Sequence, residues 1–376
     1  MQIKVVFFID SFRIGGMHKQ VLYLAKHLDR SKFHITVCVQ SDLGGLASDF
    51  LNCGVNIVSL KWSKRLQLSV FKHLIAFLKK ERPDILFITA PQNLIYYQIA
   101  RLFYRSRTIQ IGSFRAMNFW MGHLGILYKP IDMLLSVWMI FTSRVIVVNS
   151  LAMENRYSNY LLFLSKRKFR VIYNGSDFNF PITKSPAILR QELKITSSDI
   201  IITMIARLDP WKDFDTLLEA AILVLNKHEH VKFLLIGDGE LRSYIETKIL
   251  HYGIQEKVII LGEKKDIYNY INVCDISVLS TNGEGFSNSI LESMAFAKPV
   301  VATKVGGNIE LLEEYGLLVP KKSPGQMAKK LESLILSEEL RLSIGLKCRN
   351  KIKQLCDLDN YTKSYERLFA ESFNRK

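Results

Sequence analysis

Thr281-Asn-Gly-Glu284-Gly-Phe-Ser-Asn-Ser-Ile-Leu-Glu292-Ser-Met-Ala-Phe-Ala-Lys-Pro299-Val-Val-Ala-Thr303 decides how this chain is read. An apolar run of strand length, Ile276–Leu279, precedes it, and Val300–Thr303 closes it with another. Between them lie a glycine-bearing loop and a helical pattern with a start predicted at Ser287–Asn288, so the segment is one strand-helix-strand unit. Glu284 falls in the loop before the helix and Glu292 one to two turns into it. The helix N-terminus between them offers backbone amides and a partial positive charge to an anion. One carboxylate can then hold hydroxyls on one side of a bound phosphate and the other hydroxyls on the far side. Taken singly, Glu292 reads as an exposed helix residue; the assembled segment argues otherwise.

The same rhythm runs outward in both directions. Ile3–Ile9 reads as a buried strand and Met17–Leu28 as a helix, with Ile35–Val39, Ile57–Leu60, Ile85–Thr89, Arg144–Asn149 and Arg170–Tyr173 as further strands. The alternation restarts with strand Ile200–Ile205, helix Phe214–Leu225, strand Phe233–Ile236, helix Leu241–His251 and strand Val258–Leu261. Such alternation predicts parallel sheets with helices on both faces, and two halves predict two Rossmann-like domains. The boundary is expected near Asp177–Ser198, where Asn174-Gly175, Pro181 and Pro186 interrupt regular structure.

Length agrees: 376 residues at roughly 100–200 per domain is two domains. A content of 48% hydrophobic and 23% charged residues excludes disordered and collagen-like classes. Five scattered cysteines without a Cys-x-x-Cys exclude a disulfide framework and a zinc ribbon, and fit a reducing cytosol. The start, with five apolar residues before Asp10, is too short for a signal-peptide core. The most apolar stretch, Met133–Ser143, is too short to span a membrane.

Two further loops carry chemistry. After the first strand, Asp10-Ser-Phe-Arg-Ile-Gly15-Gly16 lets the backbone approach a ligand closely, although it also reads as a plain strand-to-helix turn. After Ile200–Ile205, Arg207 and Lys212 flank a turn where two cations can converge on a diphosphate, or merely form surface ion pairs. Asp213-Phe-Asp215 resembles a metal-binding Asp-x-Asp but opens a helix, where aspartate serves as a cap. No metal site is expected.

These segments, with Val171-Ile-Tyr-Asn174-Gly175, Leu235-Ile-Gly237-Asp-Gly239, Ile260-Leu-Gly262 and Val305-Gly-Gly307-Asn-Ile-Glu310, resemble the retaining GT-B glycosyltransferases of glycosyltransferase family 4. The resemblance implies an α/β chain of two facing Rossmann-like domains with a deep cleft between them. An acceptor-binding domain would cover 1–178 plus a C-terminal helix of about 360–376, and a donor-binding domain 179–359. It implies that Glu292 grips ribose hydroxyls, and that Glu284 holds the donor hexose beside the amides of Gly285 and Phe286. Arg207 and Lys212 would neutralise the pyrophosphate, with Gly16 closing over it. Amides of Ser289 and Ile290 would add to the phosphate cradle, and Ser287 and Asn288 would join them in binding the donor. Glu284, Arg207 and Lys212 are thus the expected catalytic residues, with no cofactor. Arg115 and Asn118 stand on the acceptor side, in place of the histidine common in the family; His123 lies nearby but out of register. Ala297 stands where the family usually has glycine, which is tolerable if its φ is negative.

The net charge of +16 is lopsided: residues 1–178 hold 24 Lys and Arg against 9 Asp and Glu, the remainder 27 against 26. The first half therefore suggests an anionic surface. A basic cluster from Lys61, Lys64 and Arg65 to Arg107 is interleaved with aromatic residues, a composition shared with RNA binders, but no nucleic-acid recognition motif accompanies it. The expected partners are a nucleotide-sugar donor, a UDP-sugar by family frequency, and a lipid-linked oligosaccharide or polysaccharide acceptor. The expected place is the cytoplasmic face of an anionic membrane, held by charge with no nucleic acid involved. The expected reaction moves a hexose or N-acetylhexosamine with retained anomeric configuration. Another GT-B enzyme, such as a sugar-nucleotide epimerase or a phosphorylase, is the alternative; a catalytically inactive scaffold would be expected to lack Glu284, Arg207 or Lys212.

Overall fold

In Ile3–Ile9 (β1) every side chain from Val5 onward is buried, as befits the centre of a parallel sheet covered on both faces. The computed structural model describes residues 2–42, 44–61, 68–89, 91–104, 107–115, 128–159 and 166–375. Their contacts divide into two compact units, Met1–Ser176 with Leu358–Lys376, and Asp177–Asp357.

The first unit runs β1, Gly16–His27 (α1), Phe33–Val39 (β2), Ala47–Leu51 (α2), Asn56–Ser59 (β3), Leu68–Glu81 (α3), Ile85–Ile88 (β4) and Pro91–Leu102 (α4). It continues through Ile109–Phe114 (β5), Tyr128–Thr142 (α5), Val145–Val148 (β6), Leu151–Ser158 (α6) and Phe169–Val171 (β7). All seven strands are parallel, in the order β3-β2-β1-β4-β5-β6-β7. One core layer lies under α1 and the other under α3, α4 and α5.

The second unit runs Pro186–Glu192 (α7), Ile200–Ile205 (β8), Phe214–Leu225 (α8), Val231–Ile236 (β9), Arg242–His251 (α9), Val258–Gly262 (β10), Ile267–Val273 (α10) and Ile276–Leu279 (β11). Then come Asn288–Ala295 (α11), Val300–Thr303 (β12), Gly307–Leu312 (α12), Leu318–Val319 (β13), Pro324–Ile335 (α13) and Glu338–Leu355 (α14). Its six parallel strands are ordered β10-β9-β8-β11-β12-β13. Two doubly wound parallel α/β units are what the alternation predicted.

The last helix, Leu358–Asn374 (α15), returns to the first unit. Tyr365 and Phe369 are fully buried there, edge-on to Phe87, and Phe369 also meets Phe7. Burying each such ring is worth about 1.5–3 kcal/mol. Gly175 touches Tyr361, whose ring would lie 2.7 Å from any added Cβ, so a side chain there would push the helix away.

Three expectations change. Pro186 does not interrupt structure; it occupies the first turn of α7, where a missing amide costs nothing, behind a Ser185 cap that accepts from Ile188 N at 3.3 Å. Ile109–Phe114 forms a strand, β5, that the predicted alternation did not include, and Arg115 follows it directly. Ala297 has φ +56°, not a negative value, so its Cβ carries the left-handed penalty of about 1–2 kcal/mol. Gly345 packs against it, with Ala297 O only 1.9 Å from where a Cβ would stand.

Candidate functional site

Strand order breaks between β8 and β11 in the second unit, since the chain winds outward through β9 and β10 before returning beside β8. Open parallel sheets bind ligands beyond the strand ends at such a break. The loops that follow these two strands are 206–213 and 280–287, the ones that carry Arg207, Lys212 and Glu284.

Asp209 builds the first loop. Its Oδ1 accepts from Trp211 N at 3.0 Å and Lys212 N at 3.3 Å, and its Oδ2 accepts from Arg207 Nη2 at 2.6 Å. An aspartate bonded to backbone two residues on is a turn former, and this one also tethers the Arg207 guanidinium, which remains 61% exposed. The neighbouring loop after β9 packs beneath. Gly237 has φ +141°, and an added Cβ would lie 1.9 Å from Ala206 O; one on Gly239 would lie 2.4 Å from Leu208 O. Only glycine permits that approach.

The second loop is locked to the first and to β12. Asn282 N donates to Trp211 O at 2.8 Å, and Thr281 Oγ1 to the same carbonyl at 3.1 Å. Thr303 Oγ1 accepts from Thr281 N and donates to Thr281 O, at 3.0 and 2.8 Å. Gly307 N donates to Glu284 O at 3.3 Å, and a Cβ on Gly307 would sit 2.2 Å from Gly285 O. This framework brings Lys212 Nζ and Glu284 Oε1 into a direct ion pair, with side chains only 18% and 15% exposed.

Helix α11 begins where expected, with Ser287 as its cap. Ser287 Oγ accepts from Ile290 N at 3.4 Å and lies 3.1 Å from Ser289 Oγ. The Ile290 amide is thus engaged by the cap, as a helix end satisfies its own amides first. Asn288 and Ser289 are half-buried, while Gly285, Phe286 and Ser287 are buried. Glu292 is 7% exposed, against the exposed-helix reading. Its carboxylate bonds the phenol of Tyr268 on α10, a partner that nothing in the local sequence announced. Burial, then the carboxylates of Glu292 and Asp177, holds that phenol well above its usual pKa.

The Asp-x-Asp pair is engaged elsewhere. Asp213 caps α8, accepting from Thr216 N at 3.3 Å and Thr216 Oγ1 at 2.7 Å. Asp215 accepts from Lys248 Nζ at 2.6 Å and Tyr244 OH at 2.9 Å. Among the described residues no three His, Cys, Asp or Glu side chains are grouped to hold a metal ion.

The remaining expected residues lie in the first unit. Gly16 is exposed at the start of α1, behind Gly15. Close by, at the break between β1 and β4, His18 Nε2 lies 2.9 Å from Asp10 Oδ1, and Arg13 Nη2 donates to Asp10 Oδ2 at 3.0 Å. Burial would raise the Asp10 pKa, but His18 and Arg13 outweigh it and hold the carboxyl at about 2. His18 is itself buried, with no partner on Nδ1. The sequence signal for this group was only its closeness to the paired glycines. Arg115 is buried, bonding Ser113 Oγ at 3.2 Å, Asn174 Oδ1 at 3.0 Å and Tyr365 OH. It thereby ties β5 to α15. Asn118 and His123 lie outside the described residues.

Comparison with known proteins sets this geometry in a family. Residues 187–351 match the model of glycosyl transferases group 1, and residues 14–180 that of glycosyltransferase family 4. A Campylobacter jejuni N-acetylgalactosamine-N,N'-diacetylbacillosaminyl-diphospho-undecaprenol 4-alpha-N-acetylgalactosaminyltransferase is 28% identical over 194 residues, half of each chain. The capsular polysaccharide biosynthesis glycosyltransferase CapM of Staphylococcus aureus is 29% identical over 163 residues, 43% of each. In these alignments the chain spans about half or less of each relative's length. Among solved structures, Anabaena HepE in complex with UDP and glucose superposes with a TM-score of 0.84 at 21% identity, over 98% of this chain and 100% of that one. Sucrose-phosphate synthase from Thermosynechococcus elongatus gives 0.82 at 16%, over the full length of both. These two likenesses carry the fold, and the family models cover both units. By both halves, then, the chain belongs to the glycosyltransferases that these models describe, built on the GT-B fold.

Proposed function

We propose that the protein transfers a hexose or N-acetylhexosamine from a nucleoside diphosphate sugar, UDP being the favoured nucleotide, to a lipid-linked or surface-polysaccharide acceptor. The observation that carries this reading is the Lys212–Glu284 pair, sheltered at the break in strand order beside the N-terminus of α11. Glycosyl transfer develops negative charge on the departing diphosphate and positive charge at the anomeric carbon. Lys212 and Arg207 meet the first need as fixed cations, a form of preorganised stabilisation. Glu284, beside the Gly285 and Phe286 amides, holds hexose hydroxyls, and Glu292 with Tyr268 holds the ribose. Arg115 supports the acceptor side together with Asn118.

The configuration is retained in this reading. The acceptor oxygen bonds to the anomeric carbon on the face from which the diphosphate leaves. The bond from that carbon to the diphosphate oxygen breaks, and the acceptor's proton passes to the leaving phosphate. HepE, crystallised with UDP and with UDP-glucose, and the undecaprenol-linked name of the Campylobacter relative support the donor and acceptor classes. The first unit, with 28 Lys and Arg against 11 Asp and Glu, supports work at the anionic cytoplasmic face of a membrane.

Screening nucleotide sugars for nucleoside diphosphate release, then reading the product's anomeric coupling by NMR, tests the proposal. Release of a free epimerised nucleotide sugar or of a sugar phosphate would favour the alternative enzymes. Because Asp213 and Asp215 are committed to a cap and an ion pair, turnover should survive EDTA; a strict Mn²⁺ or Mg²⁺ requirement would overturn that part.

A further inference from the structure

Helix α5 breaks the ordinary pattern of a surface helix. Its 15 residues, Tyr128–Thr142, include only two charged ones, Lys129 and Asp132, and Asp132 is buried. Ser136, Met139 and Ile140 face the core, fully buried. The opposite side should be polar. Instead Met133, Leu134, Trp138 and Phe141 stand there in solvent, and Leu102 and Phe103 at the end of neighbouring α4 join them; the six are between 38% and 80% exposed. Among the described residues they form most of the large exposed apolar surface of the first unit, on the outer side of the α3-α4-α5 layer.

Cations flank this surface. Arg101 and Arg107 are exposed around Leu102 and Phe103. At the C-terminus of α5, on the same edge of the sheet, Lys168 donates to the carbonyls of Ile140, Phe141 and Ser143 at 3.0, 3.3 and 3.2 Å, with exposed Arg144 and Arg167 beside it. A protein partner with an apolar face would not need the excess of cations over the whole unit, which exceeds its acids by 17. An anionic bilayer surface needs both. Fifteen residues are too few to span the hydrocarbon, about 20 being needed, and no helix among the described residues is long and apolar enough to cross. A helix with one apolar face and basic flanks lies in the interface plane.

We infer that the protein docks on anionic membrane by laying the Met133–Leu134–Trp138–Phe141 face of α5 into the headgroup boundary, with Arg101, Arg107, Arg144 and Arg167 on the phosphates. This rests on the proposed membrane-side function and changes its mode: attachment is apolar insertion steered by charge, not charge alone.

The test uses the full chain with vesicles of phosphatidylcholine, with or without phosphatidylglycerol, in flotation. Wild-type protein should float with the acidic vesicles, weaken as salt rises, and keep a salt-resistant fraction. Leu134→Gln with Phe141→Gln should lower partitioning about tenfold or more at every salt concentration, while thermal unfolding and donor turnover in solution stay unchanged. Arg101→Glu with Arg107→Glu should lower only the salt-sensitive part. Brominated lipid should quench tryptophan emission in wild type and clearly less in Trp138→Phe, a variant that keeps the face apolar. Complete release by salt, wild-type partitioning of the double Gln variant, or equal quenching in Trp138→Phe would each overturn the inference. So would a stable dimer whose formation shields Trp138 in solution, which would assign the face to a second copy. Flotation without any glycosyl transfer would leave this inference standing and sink the functional reading instead.

Discussion

The two units share one sheet plan, yet they concentrate charge in different places. The second unit holds 23 Lys and Arg against 24 Asp and Glu, nearly balanced, and buries its decisive ions at the break in strand order. The first carries 28 against 11 and disperses them over helices, turns and strand ends. A sheltered pair such as Lys212–Glu284 acts at short range, where low dielectric makes each charge count. A dispersed positive surface acts at long range and is screened over about 8 Å at physiological salt. One arrangement suits a small polyanion held at fixed distances, and the other a broad anionic surface met in many orientations. The doubly wound plan supplies the position of a site; the charge laid on it supplies the partner.

The comparison breaks most sharply at Lys212. Lys212→Ala should lower donor turnover by about 10²-fold or more, the usual loss when one fixed charge facing a developing anion is removed. Arg207→Ala, whose guanidinium is mostly exposed and already tethered to Asp209, should lose about tenfold, since solvent screens it. Steady-state kinetics with a purified donor checks both. Membrane flotation should be unaffected, because the substitutions lie in the other unit. Near-normal turnover of Lys212→Ala, with folding intact, would remove the diphosphate from this loop.

A smaller effect sharpens the contrast from the first unit. Burial, opposed only by Arg156, pushes the Asp132 carboxyl up to about 6 from 3.8, and its Oδ1 has no hydrogen-bond partner. The native state therefore favours the protonated form. This group's contribution is intact below pH 4 and is lost as pH rises through 6. At 1.36 kcal/mol per unit the loss is at most about 3 kcal/mol. Asp132→Asn should thus stabilise the protein by about 1–2 kcal/mol at pH 8 and by almost nothing at pH 4, in denaturant titrations at the two pH values. An equal gain at both would show that burial does not act through ionisation.

Smallest is the relief of backbone strain in the second unit. Ala297→Gly removes the Cβ at φ +56° and should add about 1 kcal/mol of stability, offset in part by glycine's greater unfolded-state freedom. Thermal unfolding should show a rise of a few degrees or less, with turnover unchanged. A fall in stability would mean that the methyl group's packing outweighs its strain.

Much of this protein was legible one residue at a time. Apolar runs of strand length, separated by helical periodicity and glycine-bearing loops, determined two parallel α/β units, because those periods are properties of the backbone itself. Ser287 and Asp213 declared themselves as helix caps for the same local reason. The asymmetry of charge was there to count. What tertiary structure alone decided involves partners distant in sequence. The ion pair of Lys212 with Glu284 spans 72 residues, the Tyr268 phenol on Glu292 spans 24, and the return of α15 to the first sheet spans the whole of the second unit. Whether Ala297 took a positive φ depended on how the helix end met α14. The apolar run Met133–Ser143 told by its length only that it does not span a membrane; the fold turned Met133, Leu134, Trp138 and Phe141 of it outward, since hydropathy records what a side chain prefers and only packing decides which side chains are denied it.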